Sequence, residues 1–158
     1  KEKITNVKII AANALALPFK NNFFDSVYCI NTFYHIKEKE KAISEISRTL
    51  NQNGKAYVEF YNFLSPFAFL RFFANPFAKK MPHVYPDFIP SLKNAFLKYG
   101  LAPLRIEVFS NIETSEAVRQ WLPSFLFKLL VSYKKFSEKY TLFGLPKMRC
   151  VIVAQKIR

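Results

Sequence analysis

Two short apolar runs flank one amphipathic helical stretch between residues 26 and 61, and this order constrains the fold most. The first run, residues 26–30, is nearly all apolar after Ser26, as expected of a strand covered on both faces. Residues 37–50 read as a helix. Ala42, Ile43, Ile46 and Leu50 share one face, and Lys39, Glu40, Lys41 and Arg48 lie largely off it. Asn53-Gly54 reads as the left-handed stop such a helix needs. Residues 56–61 then form an aromatic and β-branched strand.

The flanking sequence extends this pattern. Residues 7–12 read as a short buried strand, ended by a turn at Pro18. Residues 62–81 change character: they are rich in Phe, broken by Pro66 and Pro76, and closed by Lys79 and Lys80. Residues 87–99 read as a helix, with Asp87 in its N-terminal turn and Gly100 just past its end. Residues 104–109 read as a strand, and 113–139 as helical pieces split by Pro123. Residues 148–155 form a last strand, and 156–158 a polar end. The series predicts an α/β fold with a mostly parallel sheet. A single domain is expected over 1–158, with insertions at 63–81 and 113–147.

Composition narrows the class. A chain of 158 residues with 51% hydrophobic and 17% aromatic content is globular. Its net charge of +13 admits two readings, a solvated lysine-rich surface or an anionic partner. No basic block is interleaved with Gly-aromatic motifs, so nucleic acid is not favoured. Cys29 and Cys150 lie in apolar runs and read as buried free thiols, with no metal-ligand spacing and no secreted disulfide framework. No signal peptide is expected. Arg71 and Lys128 interrupt the best apolar runs before they reach the roughly 20 residues of a spanning helix. A cytoplasmic protein is expected, membrane-peripheral at most.

Several short motifs carry a family resemblance. Asn13-Ala14 followed by Leu17-Pro18-Phe19, then Phe24-Asp25-Ser26-Val27, then Tyr34-His35-Ile36, then the stretch from Ala42 to Gly54 resemble, in order and spacing, the class I S-adenosylmethionine-dependent methyltransferases. The match covers residues 7–62. Lys55 stands where the family usually has a second glycine. The resemblance implies a Rossmann-like fold with helices on both faces of the sheet, and S-adenosylmethionine as cofactor. It implies that Asn13 and Ala14 meet the adenine edge. An amide oxygen can accept from the exocyclic amine, and a backbone N–H can serve the ring nitrogen. The main chain near Ile30 and Asn31 would face the methionine part, beyond the carboxyl end of its strand. A turn or cap role for Asn13 or Asn31 is the plainer alternative.

Methyl transfer from a sulfonium mainly needs the acceptor held in line with the methyl group. If the acceptor must lose a proton, His35, Tyr34 and Tyr61 are the candidate bases. A structural His35 bonded to backbone is the alternative, and Glu45 and Arg48 read as a surface or interhelix pair.

The family's Gly-rich cofactor loop has no counterpart in this sequence, whose three glycines, Gly54, Gly100 and Gly144, are scattered. The resemblance therefore implies an N-terminally truncated domain. In such a domain the 7–12 strand either dangles or collapses on the next strand's open edge. Poor solubility and weak cofactor binding are expected of the isolated chain; micromolar binding by titration calorimetry would refute that.

Phe63, Phe67, Phe69, Phe72, Phe73 and Phe77 crowd the first insertion, where Arg71, Lys79 and Lys80 could reach anionic headgroups. The stretch from Trp121 to Tyr140 is also aromatic and basic. Together they suggest a small apolar, glycan- or lipid-type acceptor and a peripheral membrane contact. A non-enzymatic Rossmann-like module binding a membrane or a protein is the second reading.

Overall fold

The computed structural model describes residues 6–65, 72, 83–110, 119, 123–139 and 149–157. Four strands form one sheet: β1 (Phe24–Cys29), β2 (Leu50–Tyr61), β3 (Leu101–Ser110) and β4 (Arg149–Lys156), in the order β1-β2-β4-β3. Among the described residues the longer helices are α1 (Lys39–Thr49), α2 (Ile89–Lys98) and α3 (Ser124–Lys139).

β1 and β2 pair in parallel across the α1 crossover, with Tyr28 beside Tyr57 and Cys29 beside Val58. β4 runs antiparallel to both β2 and β3. The sheet is therefore mixed rather than mostly parallel: β1, β2 and β3 share one direction and β4 is reversed between β2 and β3. The reason lies in the connections. α1 and α2 each carry the chain back across the sheet before β2 and β3. The link from β3 to β4 instead leaves and returns at one rim, where Ser110 pairs with Arg149.

The largest core cluster lies on one face of this sheet, and Val151 and Val153 of β4 are buried on the other. Ala56, Val58 and Phe60 of β2 alternate inward and are fully buried, as are Ile152 and Ala154 of β4. α1 closes over them with Ile43 and Ile46, and α2 with Leu92 and Phe96. Ser47 Oγ donates to the Tyr99 carbonyl at 2.6 Å and joins the two helix ends. Both helices thus cover the same face. On the other face Tyr28 stacks on Tyr57 at 4.5 Å yet stays 66% exposed.

The N-terminal segment departs most from expectation. Residues 7–12 form no strand; Val7, Ile9 and Ile10 are exposed, Ile9 to 93%. Of the two outcomes expected for that strand, it dangles. Asp87 does not cap α2 either. The helix starts at Ile89 after Phe88, with no side-chain cap, and Asp87 turns to Lys39 instead. Gly100 does take the left-handed position, at φ 75°. Lys156, read as part of a polar end, is buried, its Nζ donating to Leu50 O and Asn22 Oδ1 at 2.8 Å each. Burial there pushes its amine below the ordinary lysine range.

Asn53-Gly54 lies inside β2 and does not stop α1, which ends at Thr49 with an extended Leu50 after it, and the strand needs its glycine for space, not for handedness. Asn53, not Gly54, carries the positive φ of 66°. A Cβ on Gly54 would stand 2.8 Å from Asn51 O and 3.1 Å from Asp25 O, both backbone atoms that cannot swing aside. Gly54→Ala is expected to destabilise by about 2 kcal/mol. Asn53→Gly should change stability by only a few tenths. Urea midpoints of the two variants check this; equal midpoints would contradict it.

Candidate functional site

The carboxyl ends of β1 and β2 lie at one rim, and the polar groups there form one connected cluster. β1 ends at Cys29, and Ile30 leads into Asn31, which sits in the left-handed region at φ 54°. Asparagine tolerates that region better than most residues. Its conformation is held by Glu59, whose Oε2 accepts the Asn31 N–H at 2.7 Å. Glu59 is 3% exposed, and its other oxygen accepts from Arg149 Nε at 2.5 Å and pairs with Arg149 Nη2. Arg149 Nη2 also donates to Asn31 Oδ1 at 2.7 Å, and the Tyr34 hydroxyl donates to the same oxygen at 3.0 Å. One carboxylate, one guanidinium and one amide thus tie together the ends of β1, β2 and β4.

An aromatic layer continues from this cluster. A 3-10 turn, Phe33–His35, follows Asn31 and buries Phe33 and Tyr34. Tyr34 stacks on Tyr61 with ring centres 4.0 Å apart, and His35 meets the Tyr34 ring edge-on at 4.5 Å. His35 Nδ1 lies 2.6 Å from the His83 carbonyl, which can only accept, so Nδ1 carries the proton and the neutral ring keeps its lone pair on Nε2. Tyr85 N–H donates to Tyr34 O at 2.7 Å, and Asp87 N–H donates to Tyr61 O at 2.7 Å. Residues 83–87 are thereby laced to both tyrosines. Three candidates, Tyr34, His35 and Tyr61, therefore meet at this rim beside Asn31. His35 also has the backbone partner its structural reading anticipated.

Beneath the turn lies a buried ion pair. Lys39 Nζ sits 2.9 Å from Asp87 Oδ2, donates to Phe33 O at 2.8 Å, and stands 4.2 Å over the Phe33 ring. Burial pushes Asp87 above the ordinary carboxylate range and Lys39 below the ordinary amine range, each partner opposing the other's shift. Their attraction does not fully offset desolvation, the usual balance for such pairs. Burial likewise raises the Cys29 thiol, and the Lys39 cation works against it.

Asn13 and Ala14 occupy a separate segment. Asn13 is exposed, and its Oδ1 accepts the Leu15 N–H at 2.9 Å while its carbonyl accepts the Ala16 N–H at 3.0 Å. This is the turn role given as the plainer alternative, though the amide oxygen keeps a second lone pair. Among the described residues no hydrogen bond joins Asn13 or Ala14 to Ile30 or Asn31. The loop is clamped to α1 instead. Leu17 N–H donates to Glu45 Oε2 at 2.7 Å, and Arg48 donates to Phe19 O at 2.8 Å and Leu17 O at 3.0 Å. Glu45 and Arg48 also pair with each other at 2.8 Å, and the Arg48 hydrogen bond holds the Glu45 carboxyl below its ordinary range. The pair read as a surface feature is what fastens the Leu17-Pro18-Phe19 turn.

Sequence reasoning missed Glu59, Arg149, Lys39 and Asp87. The available signal was an acid inside an apolar strand, Glu59 between Val58 and Phe60. Much of the aromatic insertion, including Phe67, Phe69, Arg71, Phe73, Phe77, Lys79 and Lys80, lies outside the described residues, as do Trp121, Tyr140 and Gly144.

Comparison with known proteins places this geometry. Residues 1–58 match the family described as "Methyltransferase domain". The ubiquinone/menaquinone biosynthesis C-methyltransferase UbiE of Yersinia pestis is 40% identical over 55 residues, 35% of this chain and 22% of that protein. A methyltransferase of Anoxybacillus flavithermus that is itself uncharacterised is 27% identical over 129 residues, 76% of this chain and 61% of that one. A SAM-dependent methyltransferase from Archaeoglobus fulgidus superposes with a TM-score of 0.63 at 15% identity, covering 97% of this chain and 69% of that one. The fold is that of the Rossmann-like methyltransferases. The chain spans about a quarter of the length of the first curated relatives it matches.

Proposed function

We propose, for a chain whose residues 1–58 match a methyltransferase domain, that the protein carrying it transfers a methyl group from S-adenosylmethionine to a small apolar acceptor. The observation that carries this reading is the rim at which the left-handed Asn31, fixed by Glu59, stands beside the stacked Tyr34 and Tyr61.

The residues present fit a share of the cofactor. Asn13 retains an acceptor lone pair and is exposed, and Ile30 is 45% exposed at the end of β1. Asn31 has its amide oxygen already engaged by Tyr34 and Arg149, so its contribution is the shape of the turn. S-adenosylmethionine, when bound, supplies an activated methyl group. This chain's residues orient the acceptor. The stacked Tyr34–Tyr61 pair is buried and stiffens the rim behind His35, whose Nε2 lone pair can take a proton from an acidic acceptor, while the half-exposed Ile30 offers apolar surface. The similarity to a quinone-pathway C-methyltransferase supports an apolar acceptor. Cytoplasmic placement goes with this reading.

Titration calorimetry on the protein carrying this chain tests the cofactor. Micromolar binding is expected, weakened about tenfold by Asn13→Ala. Tritium-methyl-labelled S-adenosylmethionine, incubated with that protein and an organic extract of cells, tests the acceptor. Label should pass into the organic phase. Absence of binding supports the alternative, a non-enzymatic Rossmann-like module.

A further inference from the structure

A helix with large apolar side chains facing solvent calls for a partner, and α3 is such a helix. Pro123 precedes it and accepts the Phe127 N–H at 3.0 Å, closing its first turn. Phe125 is 63% exposed, Leu129 62% and Leu126 39%. Residues 125 and 129 are one turn apart and 126 adjoins them, so the three form one exposed ridge. Phe127 and Val131 are half-buried and belong to the other side. Lys128 is exposed beside the ridge. The helix sequence SFLFKLLVSYKKFSEK carries four lysines and one acid, within a chain of net charge +13.

The position of α3 in the fold gives the ridge a use. The segment bearing it leaves β3 at Ser110 and returns to β4 at Arg149, two residues paired at one rim of the sheet. Arg149 is the residue that binds Glu59 and Asn31. The stretch of chain that bears α3 thus begins and ends, in sequence, at the rim where Asn31, Tyr34 and Tyr61 lie. At 16 residues with a lysine inside, it is too short and too polar to cross a bilayer. A helix with aromatic and leucine residues on one side and a lysine beside them suits the interface of a lipid surface. Its positive charge selects anionic headgroups over neutral ones.

We infer that the Phe125–Leu126–Leu129 ridge of α3, with Lys128, docks the protein on an anionic lipid bilayer and presents the Asn31–Tyr61 rim to it. This goes beyond methyl transfer and is read without cofactor or acceptor, so either reading can fail alone.

Flotation of the purified protein with phosphatidylcholine vesicles, with and without phosphatidylglycerol, tests it. Retention is expected on the anionic vesicles and not on the neutral ones. The F125S/L129S variant keeps every charge and should lose at least about tenfold in retention. Lys128→Glu should weaken retention several-fold, and more at low salt than at high salt. Because all three side chains face solvent, thermal midpoints of the variants should match the parent's. If F125S/L129S still loses its fold, the Lys128→Glu result decides alone. Equal retention of parent and F125S/L129S at equal thermal midpoints would mean that net charge alone does the binding. No retention of the parent would assign the ridge to a protein partner. Either result overturns the proposal.

Discussion

Glu59→Ala is expected to cost about 2–3 kcal/mol of stability and to abolish the proposed methyl transfer by the protein that carries this chain. The carboxylate is 3% exposed and serves three donors on two other segments. Removing it leaves the Asn31 N–H without its acceptor and strands the Arg149 guanidinium. The Arg149 side chain is 28% exposed, so water recovers part of its solvation and the lower end of the usual range for a broken buried pair applies. Asn31 would then lose the bond that holds it at positive φ, and the turn after β1 would relax. Glu59→Gln keeps one acceptor and the shape, and should cost about 1 kcal/mol. Combining Glu59→Ala with Arg149→Leu should recover part of the loss, because the uncompensated cation is gone. Chemical denaturation of the parent, Glu59→Ala, Arg149→Leu and the double variant supplies the cycle. A Glu59→Ala cost below about 0.5 kcal/mol, the range of an ordinary surface change, would show that the cluster holds nothing.

Phe33→Ala should be costlier still, about 3–4 kcal/mol. Phe33 is fully buried and packs in the same cluster as Ile43, Leu50 and Phe60. Its ring also lies under the Lys39 cation. Truncation opens a cavity where the 3-10 turn meets the core, and the backbone bonds of that turn should loosen. Its Phe33 carbonyl accepts the Ile36 N–H at 3.0 Å, and the Thr32 carbonyl accepts the His35 N–H at 2.9 Å. Hydrogen exchange at Ile36 and His35 should therefore accelerate more than exchange at Val58 or Ile152. The Lys39–Asp87 pair keeps its own contact in the variant. Uniform acceleration across the sheet would mean instead that the turn is no distinct unit.

The β1–α1–β2 unit was legible because its signals are local. Short apolar and β-branched runs for the strands and the Ala42–Ile46 face of the helix need no distant partner to be read. Gly100 was legible for the same reason, as a helix stop. Residues 7–12 were misread because apolar content marks a strand only where a neighbour exists to pair with it. Among the described residues none does, and Ile9 is nearly fully exposed. The reversal of β4 was not legible. Strand direction is set by the route of the chain, and no residue pattern inside 148–155 encodes it. The polar cluster was hidden by separation. Glu59 and Arg149 lie 90 residues apart, and Lys39 and Asp87 lie 48 apart. Asp87 had the composition of a helix cap, and a buried lysine outcompeted that local role. The pairing of Glu45 and Arg48 was readable from helical spacing. Its grip on the Leu17–Phe19 turn was not, because the acceptors are backbone carbonyls that any sequence would offer.

Photo-crosslinking most directly tests the claim that Asn13 and the turn after β1 face one adenosyl ligand. The protein carrying this chain, irradiated with tritium-labelled S-adenosylmethionine and digested, should yield label on peptides from residues 13–19 and 30–35. Label confined to peptides bearing Asn22, Lys55 or Lys156, at the opposite end of the sheet, would contradict it.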